Sequence, residues 1–168
     1  MKFQQLIFSA LILLISSATA NSQTSRESNV DLAKSFFEIV LSDDSLKAKD
    51  MLDDGFKFYY MGNIPLESMG DLALAGTYNK ETYFDDFLQK AAVLIPDGVV
   101  LTPTDVIADA KGVALVMEGS GQGVNGEYNN KYVFIFKMNN GKILSLTEYG
   151  SDLLVATRLY CNKIAPMD

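Results

Sequence analysis

The segment NNKYVFIFKMNNGKILSLTEYGSD, residues 129–152, constrains the fold more than any other stretch of the chain. Two runs rich in β-branched and aromatic residues flank the dipeptide Asn140-Gly141. Asn-Gly between such runs favours a two-residue turn joining antiparallel strands, because both residues readily adopt positive φ angles. The segment therefore predicts a β-hairpin, and any fold of the chain must contain at least this strand pair.

Apolar side chains occupy both faces of the first hairpin strand. Because successive strand side chains point to opposite sides of a sheet, its aromatic residues share one face and its β-branched residues the other. The aromatic residues are Tyr132, Phe134 and Phe136. A half-exposed strand carries polar residues on its second face, so something must cover Val133 and Ile135. A homodimer across the outer sheet face is predicted, and coverage by residues 152–160 of the same chain is the alternative.

Helical patterns precede strand patterns along the rest of the chain. The predicted elements are helices 29–44 and 44–55, strand 56–61, helix 79–94, and strands 99–109 and 113–121 before the hairpin. A long loop, 62–78, lies ahead of the third helix and is of the length that often forms a binding rim. Helices followed by a run of strands indicate the α+β class, with a curved antiparallel sheet wrapped around three helices.

The N-terminus has the pattern of a secretory signal peptide. Lys2 precedes an apolar run of ten residues, Leu6–Ile15, and the small residues SSATA follow it. Ten apolar residues are too few for a stable membrane span, so cleavage is favoured over an uncleaved anchor. The predicted division is a signal peptide at 1–20, a disordered lead-in at 21–28, one domain at 29–160 and a tail at 161–168. The mature protein is expected in the periplasm or outside the cell, without membrane attachment.

Charge and residue usage exclude several classes of function. The formal net charge is −7, and Arg26 and Arg158 are the only arginines, so nucleic acid is a poor partner. The chain has no histidine, which excludes Ser-His-Asp catalysis and most zinc sites. Cys161 is the single cysteine, so no disulfide forms within the chain. No cofactor and no metal ion are predicted.

The hairpin and the residues before it resemble the nuclear transport factor 2-like superfamily. More narrowly, they are similar to its ketosteroid-isomerase-related, SnoaL-like members, which commonly carry N-G and Y-x-N-x-Y-x-F-x-F, then D-G-K-I, then R-E-Y. The matching residues are Asn125, Gly126, Tyr128, Asn130, Tyr132, Phe134, Phe136, Gly141, Lys142, Ile143, Glu148 and Tyr149. The resemblance covers roughly residues 29–152. It implies a cone-shaped α+β barrel with a deep apolar pocket, in a protein that is frequently a dimer.

The sequence departs from these relatives at the positions that carry their chemistry. The general-base aspartate of the ketosteroid isomerases falls near Tyr59, and its two oxyanion donors fall near Tyr132 and Phe36. Thr147 stands where an arginine usually precedes Glu-Tyr. Of the family's possible acid-base groups, Glu148 remains. Alternation places Glu148 on one face with Leu144 and Leu146, towards the pocket.

A carboxyl group facing an apolar pocket is expected to have a raised pKa, which suits proton transfer near neutral pH. Glu148 is therefore the candidate catalytic acid or base, with Tyr132, Tyr59 or Tyr60 as donor to an oxyanion. The alternative is a buried structural acid bonded to a tyrosine. The remaining residues predicted to line the pocket are Phe36, Phe134, Phe136, Leu144, Leu146 and Glu118.

Three functions remain open from the sequence. The first is binding of a small, largely apolar molecule in the cone. The second is an enzyme of the isomerase, cyclase or hydratase type that uses Glu148. The third is a structural dimerisation module whose pocket is filled by its own side chains. The fold cannot choose among them, because one fold hosts many activities.

Overall fold

The computed structural model describes residues 23–60 and 70–164. The predicted signal peptide, residues 61–69 of the long loop and the last four residues of the tail lie outside the described residues. Within the described ranges, no helix is both long and apolar enough to span a membrane.

Four helices and seven strands make up the described chain. The helices are α1 (23–41), α2 (Ser45–Asp50), α3 (Lys80–Thr82, Tyr83–Phe87 and Leu88–Leu94) and α4 (Asp152–Leu154 and Val155–Leu159). The strands are β1 (Leu52–Tyr60), β2 (Gly76–Asn79), β3 (Val99–Ala108), β4 (Gly112–Gly123), β5 (Gly126–Glu127), β6 (Asn130–Asn139) and β7 (Lys142–Tyr149). A 3₁₀ turn at Gly70–Leu72 precedes β2.

The strands form one sheet in the order β2-β1-β7-β6-β4-β3, with β5 paired to β4. β1 runs parallel to β7, and the other neighbours along that path are antiparallel. The sheet is curved and does not close into a complete barrel. The predicted α+β class is thus confirmed, with one parallel pair in a sheet that was expected to be wholly antiparallel.

The predicted hairpin is present as the antiparallel strands β6 and β7. Asn140 and Gly141 have φ angles of +48° and +76°, as a two-residue hairpin turn requires. Pro103 lies in β3, which is an edge strand of the sheet, and the pairing with β4 shifts register between Pro103 and Asp105. The predicted third helix is also confirmed. Asn79 caps it by accepting hydrogen bonds from the backbone N–H groups of Glu81 and Thr82.

Three local expectations were wrong or incomplete. The second helix ends at Asp50, and Gly55 lies inside β1, where its N–H donates to the Asp53 carboxylate at 2.8 Å. β2 was not predicted, because it has four residues and begins at a glycine with a φ of +100°. Residues 23–28, expected to be disordered, are the exposed first described turns of α1.

The core lies between the inner face of the sheet and the helices, and aromatic rings form much of it. The rings of Phe37 and Phe134 are 4.6 Å apart, so α1 packs directly on β6. In α3 the π-helical turn Tyr83–Phe87 buries three aromatic side chains within five residues. The Phe58 and Phe87 rings lie 4.5 Å apart and join α3 to β1.

The C-terminal helix packs on the inner side of the sheet and not on its outer face. Leu159 is buried, and the Tyr160 hydroxyl accepts a hydrogen bond from the Leu74 N–H at 2.7 Å. The Arg158 carbonyl accepts from the Asn125 N–H at 2.9 Å. The contacts of α4 therefore leave Val133 and Ile135 half-buried on the outer face, and coverage by residues 152–160 is not observed.

Candidate functional site

Glu148 lies in a row of side chains that crosses three strands on the inner face. Its register partner in β1 is Tyr60, and its partner in β6 is Phe134. Side chains of directly paired residues stand side by side on the same face of a sheet. The predicted inward direction of Glu148 therefore follows from the pairing, with an aromatic neighbour on each side.

A bulge in β7 decides which residues share the face of Glu148. The pairing with β6 shifts register between Lys137 and Met138, opposite Ile143 to Ser145. Ile143 and Leu146 are both fully buried, whereas Leu144 is 36% exposed. The expectation that Leu144 lines the pocket is wrong, because simple alternation fails across a bulge. The alternation resumes at Leu146, so Leu146 and Glu148 do share the inner face.

The inner face and the helices enclose a cavity of about 130 Å³. Its lining includes Tyr60 from β1, Tyr83 and Phe87 from α3, Tyr132 and Phe134 from β6, and Glu148 from β7. This volume is close to that of a cavity that holds a benzene-sized molecule. The space is thus matched to a single ring or a compact alkyl group rather than to a large ligand.

Burial raises the pKa of the Glu148 carboxyl group to about 8. Within the described ranges, its side chain makes no hydrogen bond or ion pair that would offset the loss of water around the charge. At pH 7 a carboxyl with such a pKa is mostly protonated and able to donate a hydrogen bond. Glu148 is half-buried and its carboxyl group has no partner among the described residues, so it is available to a ligand in the cavity.

Four tyrosines line the same cavity as this carboxyl group. Burial keeps the pKa of Tyr60, Tyr83 and Tyr132 well above the usual tyrosine range, and the charge of Glu148 raises each of them further. The same two influences raise the pKa of Tyr128. These phenols stay protonated at any physiological pH and remain hydrogen-bond donors.

Asn130 fixes the position of the tyrosines at the β6 end of the cavity. Its side-chain amide donates to the Tyr128 hydroxyl at 3.1 Å, and its carbonyl oxygen accepts from the N–H groups of Lys131 and Ser151. The ring of Tyr132 lies against Gly119, where an added Cβ would come within 2.5 Å of it. Asn130 and Gly119 therefore hold two tyrosines in place without touching the centre of the cavity.

An open groove of about 590 Å³ adjoins the cavity. Cavity and groove share Val40, Leu88, Ala91 and Ile95, so the groove passes between the end of α1 and the outer side of α3. The groove therefore lies directly beside the cavity that contains Glu148.

The structure separates the predicted site residues into three groups. Tyr132, Phe134, Leu146 and Glu148 line the cavity. Phe36 and Phe136 do not line it, because they pack against each other deeper in the core with ring centroids 6.2 Å apart. Tyr59 is 39% exposed on the outer face, and Glu118 is exposed there in an ion pair with Lys131 at 3.1 Å. Their predicted place in the pocket is wrong, since both point away from the helices.

Sequence reasoning missed several residues that the structure brings to the cavity. Tyr83 and Phe87 come from the π-helical turn, and Tyr128 comes from the residue pair before β6. Tyr83 and Phe87 are four residues apart, a spacing that puts both on one helical face, so the helical pattern was the signal that could have found Tyr83. Tyr60, one of three tyrosines considered as oxyanion donor, lines the cavity in place of Tyr59. Among the described residues, no group of three or more acidic, histidine or cysteine side chains could hold a metal ion.

Comparison with known proteins places the chain by its structure rather than by its sequence. No protein-family model matches it, and no curated protein matches its sequence. A nuclear transport factor 2-like protein from Burkholderia xenovorans superposes with a TM-score of 0.67 and 21% identity, covering 80% of this chain and 97% of that one. TerC, co-crystallised with polyporic acid, gives a TM-score of 0.66 and 16% identity over 79% of this chain and 98% of its own.

A candidate isomerase from Bacillus subtilis is also similar, with a TM-score of 0.62 and 18% identity over 81% of this chain and 95% of that chain. The architecture defines a class of α+β proteins in which a curved sheet and helices enclose a cavity. Within that class, this chain has the nuclear transport factor 2-like fold, as its hairpin predicts.

Proposed function

We propose that the chain binds a small, largely apolar molecule in the cavity beside Glu148. The observation that carries this proposal is the cavity itself, with aromatic walls and one carboxyl group that has no protein partner. Buried polar groups are normally hydrogen-bonded, and one that faces an open space within a core is suited to a ligand. TerC, a protein of the same fold, was co-crystallised with polyporic acid, which supports the binding of an organic molecule by a protein of this fold.

Blocking the cavity tests this proposal. Ala91 lines both cavity and groove, so Ala91→Phe fills the passage, whereas Val93→Phe places the same ring on the exposed side of the same helix. Single-ring probes such as phenol, indole and cyclohexanone, together with small amines, are screened by ligand-observed NMR and thermal unfolding. A bound probe should raise the unfolding temperature of the wild type and of Val93→Phe, but not of Ala91→Phe. Failure of every probe, neutral and charged, to bind the wild type would remove the proposal.

A second candidate is proton transfer by Glu148, favoured by its pKa near 8 and its tyrosine neighbours. The ionised carboxylate would take a proton from a carbon next to a carbonyl, and Tyr60 or Tyr132 would donate to the developing enolate oxygen. Deuterium exchange into cyclohexanone in D₂O, followed by NMR, measures this step without knowledge of the natural substrate. Glu148→Gln should abolish enzyme-dependent exchange, and Glu118→Gln, an outer-face control, should retain it. Exchange that survives Glu148→Gln would exclude this role.

We also propose that the chain is a homodimer through the outer sheet face. Val133 and Ile135 are half-buried there, and Tyr59, Ile107 and Tyr149 are more exposed on the same face. Pairing across the sheet aligns Tyr59, Thr147, Ile135, Ala114 and Ile107 in one row. A continuous row of weakly polar side chains supports a protein–protein contact.

The N-terminal pattern supports export, and we propose that the mature chain begins at Asn21 in the periplasm or outside the cell. Intact-mass analysis of the protein purified from its host measures the cleavage. Loss of residues 1–20 is expected, and an intact N-terminus in the purified protein would contradict export by this route.

A further inference from the structure

The cavity contains an acidic group without a basic counterpart. Among the described residues that line it, Glu148 is the only charged one, and no lysine or arginine is present. Its register partners, Tyr60 and Phe134, cannot neutralise it. A cation brought by the ligand would therefore supply the positive charge that stabilises the ionised form of Glu148.

Aromatic rings stand around the same carboxyl group. The rings of Tyr60 and Phe87 are 5.6 Å apart on the β1 and α3 side, and those of Tyr132 and Phe134 are stacked 5.2 Å apart on the β6 side. The face of an aromatic ring attracts a cation, and clusters of such rings recognise ammonium groups in other proteins. Rings and carboxylate together favour a positively charged group and disfavour an anion.

The groove beside the cavity is also lined by acidic residues. Its lining includes Asp43, Asp85 and Asp97, and no lysine or arginine is among the described residues that line it. Lys49 approaches Asp85 at 3.5 Å from outside this lining, which leaves two of the aspartates without an ion pair in the described structure. The chain as a whole carries a formal charge of −7. A negative groove raises the local concentration of cations and repels anions.

We propose that the ligand of this cavity is a small organic cation, an ammonium group on a compact apolar body, which enters through the acidic groove and pairs with the Glu148 carboxylate. The inference rests on the proposed binding function and names the class of ligand. A neutral molecule of the same shape would leave the carboxyl group without a charged partner, and an anion would meet the aspartates and Glu148 together.

A pair of probes with the same shape tests the charge requirement. Choline and 3,3-dimethylbutan-1-ol differ in one atom of the branched head, which is a positive nitrogen in one and a neutral carbon in the other. Isothermal titration calorimetry with the full wild-type protein should show choline binding at least about tenfold more tightly. In Glu148→Gln the preference should be lost, and in Glu118→Gln it should remain.

The number of protons released on choline binding tests the role of Glu148 directly. If Glu148 had only a structural role, choline binding would release no proton from it. The groups facing its carboxyl are Tyr60 of β1, Tyr83 of α3, Tyr128 before β6 and Tyr132 of β6, and all of them keep their protons in this range. Glu148 therefore loses the proton when choline binds below a pH of about 8. Titrations in buffers of different ionisation enthalpy should show release of up to one proton, and the affinity should rise with pH until it levels above that value.

The outcomes separate this inference from the broader proposal. Equal binding of the two probes, or binding of the alcohol alone, would overturn the cation inference and leave small-molecule binding intact. Absence of choline binding with binding of a neutral ring would do the same. If neither these probes nor the neutral rings bind, both proposals fail.

Discussion

At the scale of single residues, the proposed site depends on Glu148, because the surroundings of its carboxyl group determine whether it is charged. Burial raises its pKa to about 8, whereas a carboxyl group exposed in the unfolded chain titrates near 4.5. Between these pH values the folded protein holds a proton that the unfolded protein has released. The folded state is therefore destabilised progressively as pH rises through this window.

Replacement of Glu148 by glutamine removes this titration and keeps the shape of the side chain. The free energy of unfolding of the wild type should fall relative to that of Glu148→Gln by up to roughly 1.4 kcal/mol per pH unit between pH 5 and 8. Urea unfolding at a series of pH values measures the difference. Glu118→Gln, on the exposed outer face, should follow the wild type, and parallel curves for wild type and Glu148→Gln would show that Glu148 is not buried as described.

Asn130 is the second residue on which the site depends, because three hydrogen bonds converge on its buried side chain. Asn130→Ala should lower the free energy of unfolding by about 1–3 kcal/mol and weaken probe binding, since Tyr128 loses its amide partner. Asn130→Asp keeps both acceptor bonds and should cost less when protonated at low pH. Denaturant unfolding and probe titration together test this, and a neutral effect of Asn130→Ala on both would refute the positioning role.

At the scale of elements, α3 delivers two cavity residues through its π-helical turn, and its N-terminus is fixed by Asn79. The Asn79 side chain accepts from the backbone of Glu81 and Thr82, and the Thr82 hydroxyl accepts from the Asn79 N–H at 2.9 Å. Asn79→Ala should destabilise the protein by about 1 kcal/mol, whereas Asn79→Asp should retain the cap. Thermal unfolding of the two variants measures this, and equal stabilities would contradict the capping role.

The strands also show which side-chain directions could be predicted from the sequence and which could not. The inward direction of Glu148 was predictable because the bulge in β7 lies before Leu146, so alternation is intact from Leu146 onward. Leu144 was misplaced by the same bulge. The choice between Tyr59 and Tyr60 could not be made, because β1 begins at Leu52 and shifts register before Lys57.

The sequence could not predict how deep in the core each inward-facing side chain lies. Phe134 and Phe136 have the same pattern and face, yet Phe134 lines the cavity and Phe136 packs against Phe36. Tertiary packing of α1 determines that difference, and periodicity carries no information on it. The pocket-lining role expected for Glu118 failed for another reason. Glu118 pairs with Lys131 on the outer face, in register with that residue.

At the scale of the whole molecule, the described residues leave the outer sheet face without a helix packed against Val133 and Ile135. Ile135→Lys places a charge in the centre of this face and should convert the proposed dimer to a monomer. Val124→Lys, at a residue that is 49% exposed, is a control that should leave the dimer intact. Light scattering at micromolar concentration measures the mass, and a monomeric wild type would contradict the proposal.

The cavity and the outer face lie on opposite sides of the same strands, since Phe134 and Ile135 are neighbours in β6. Disruption of the dimer therefore need not remove the cavity, and Ile135→Lys should still bind any probe that the wild type binds. This separation allows assembly and binding to be measured independently.

Measurement of the pKa of Glu148 tests most directly whether its carboxyl group lies in an apolar cavity. A ¹³C NMR titration of the glutamate side-chain carboxyl signals between pH 3 and 10, with Glu148→Gln to assign the resonance, reports it without any ligand. One glutamate should titrate with a midpoint near pH 8. A midpoint between about 4 and 5 for Glu148, as for an ordinary exposed glutamate, would contradict it.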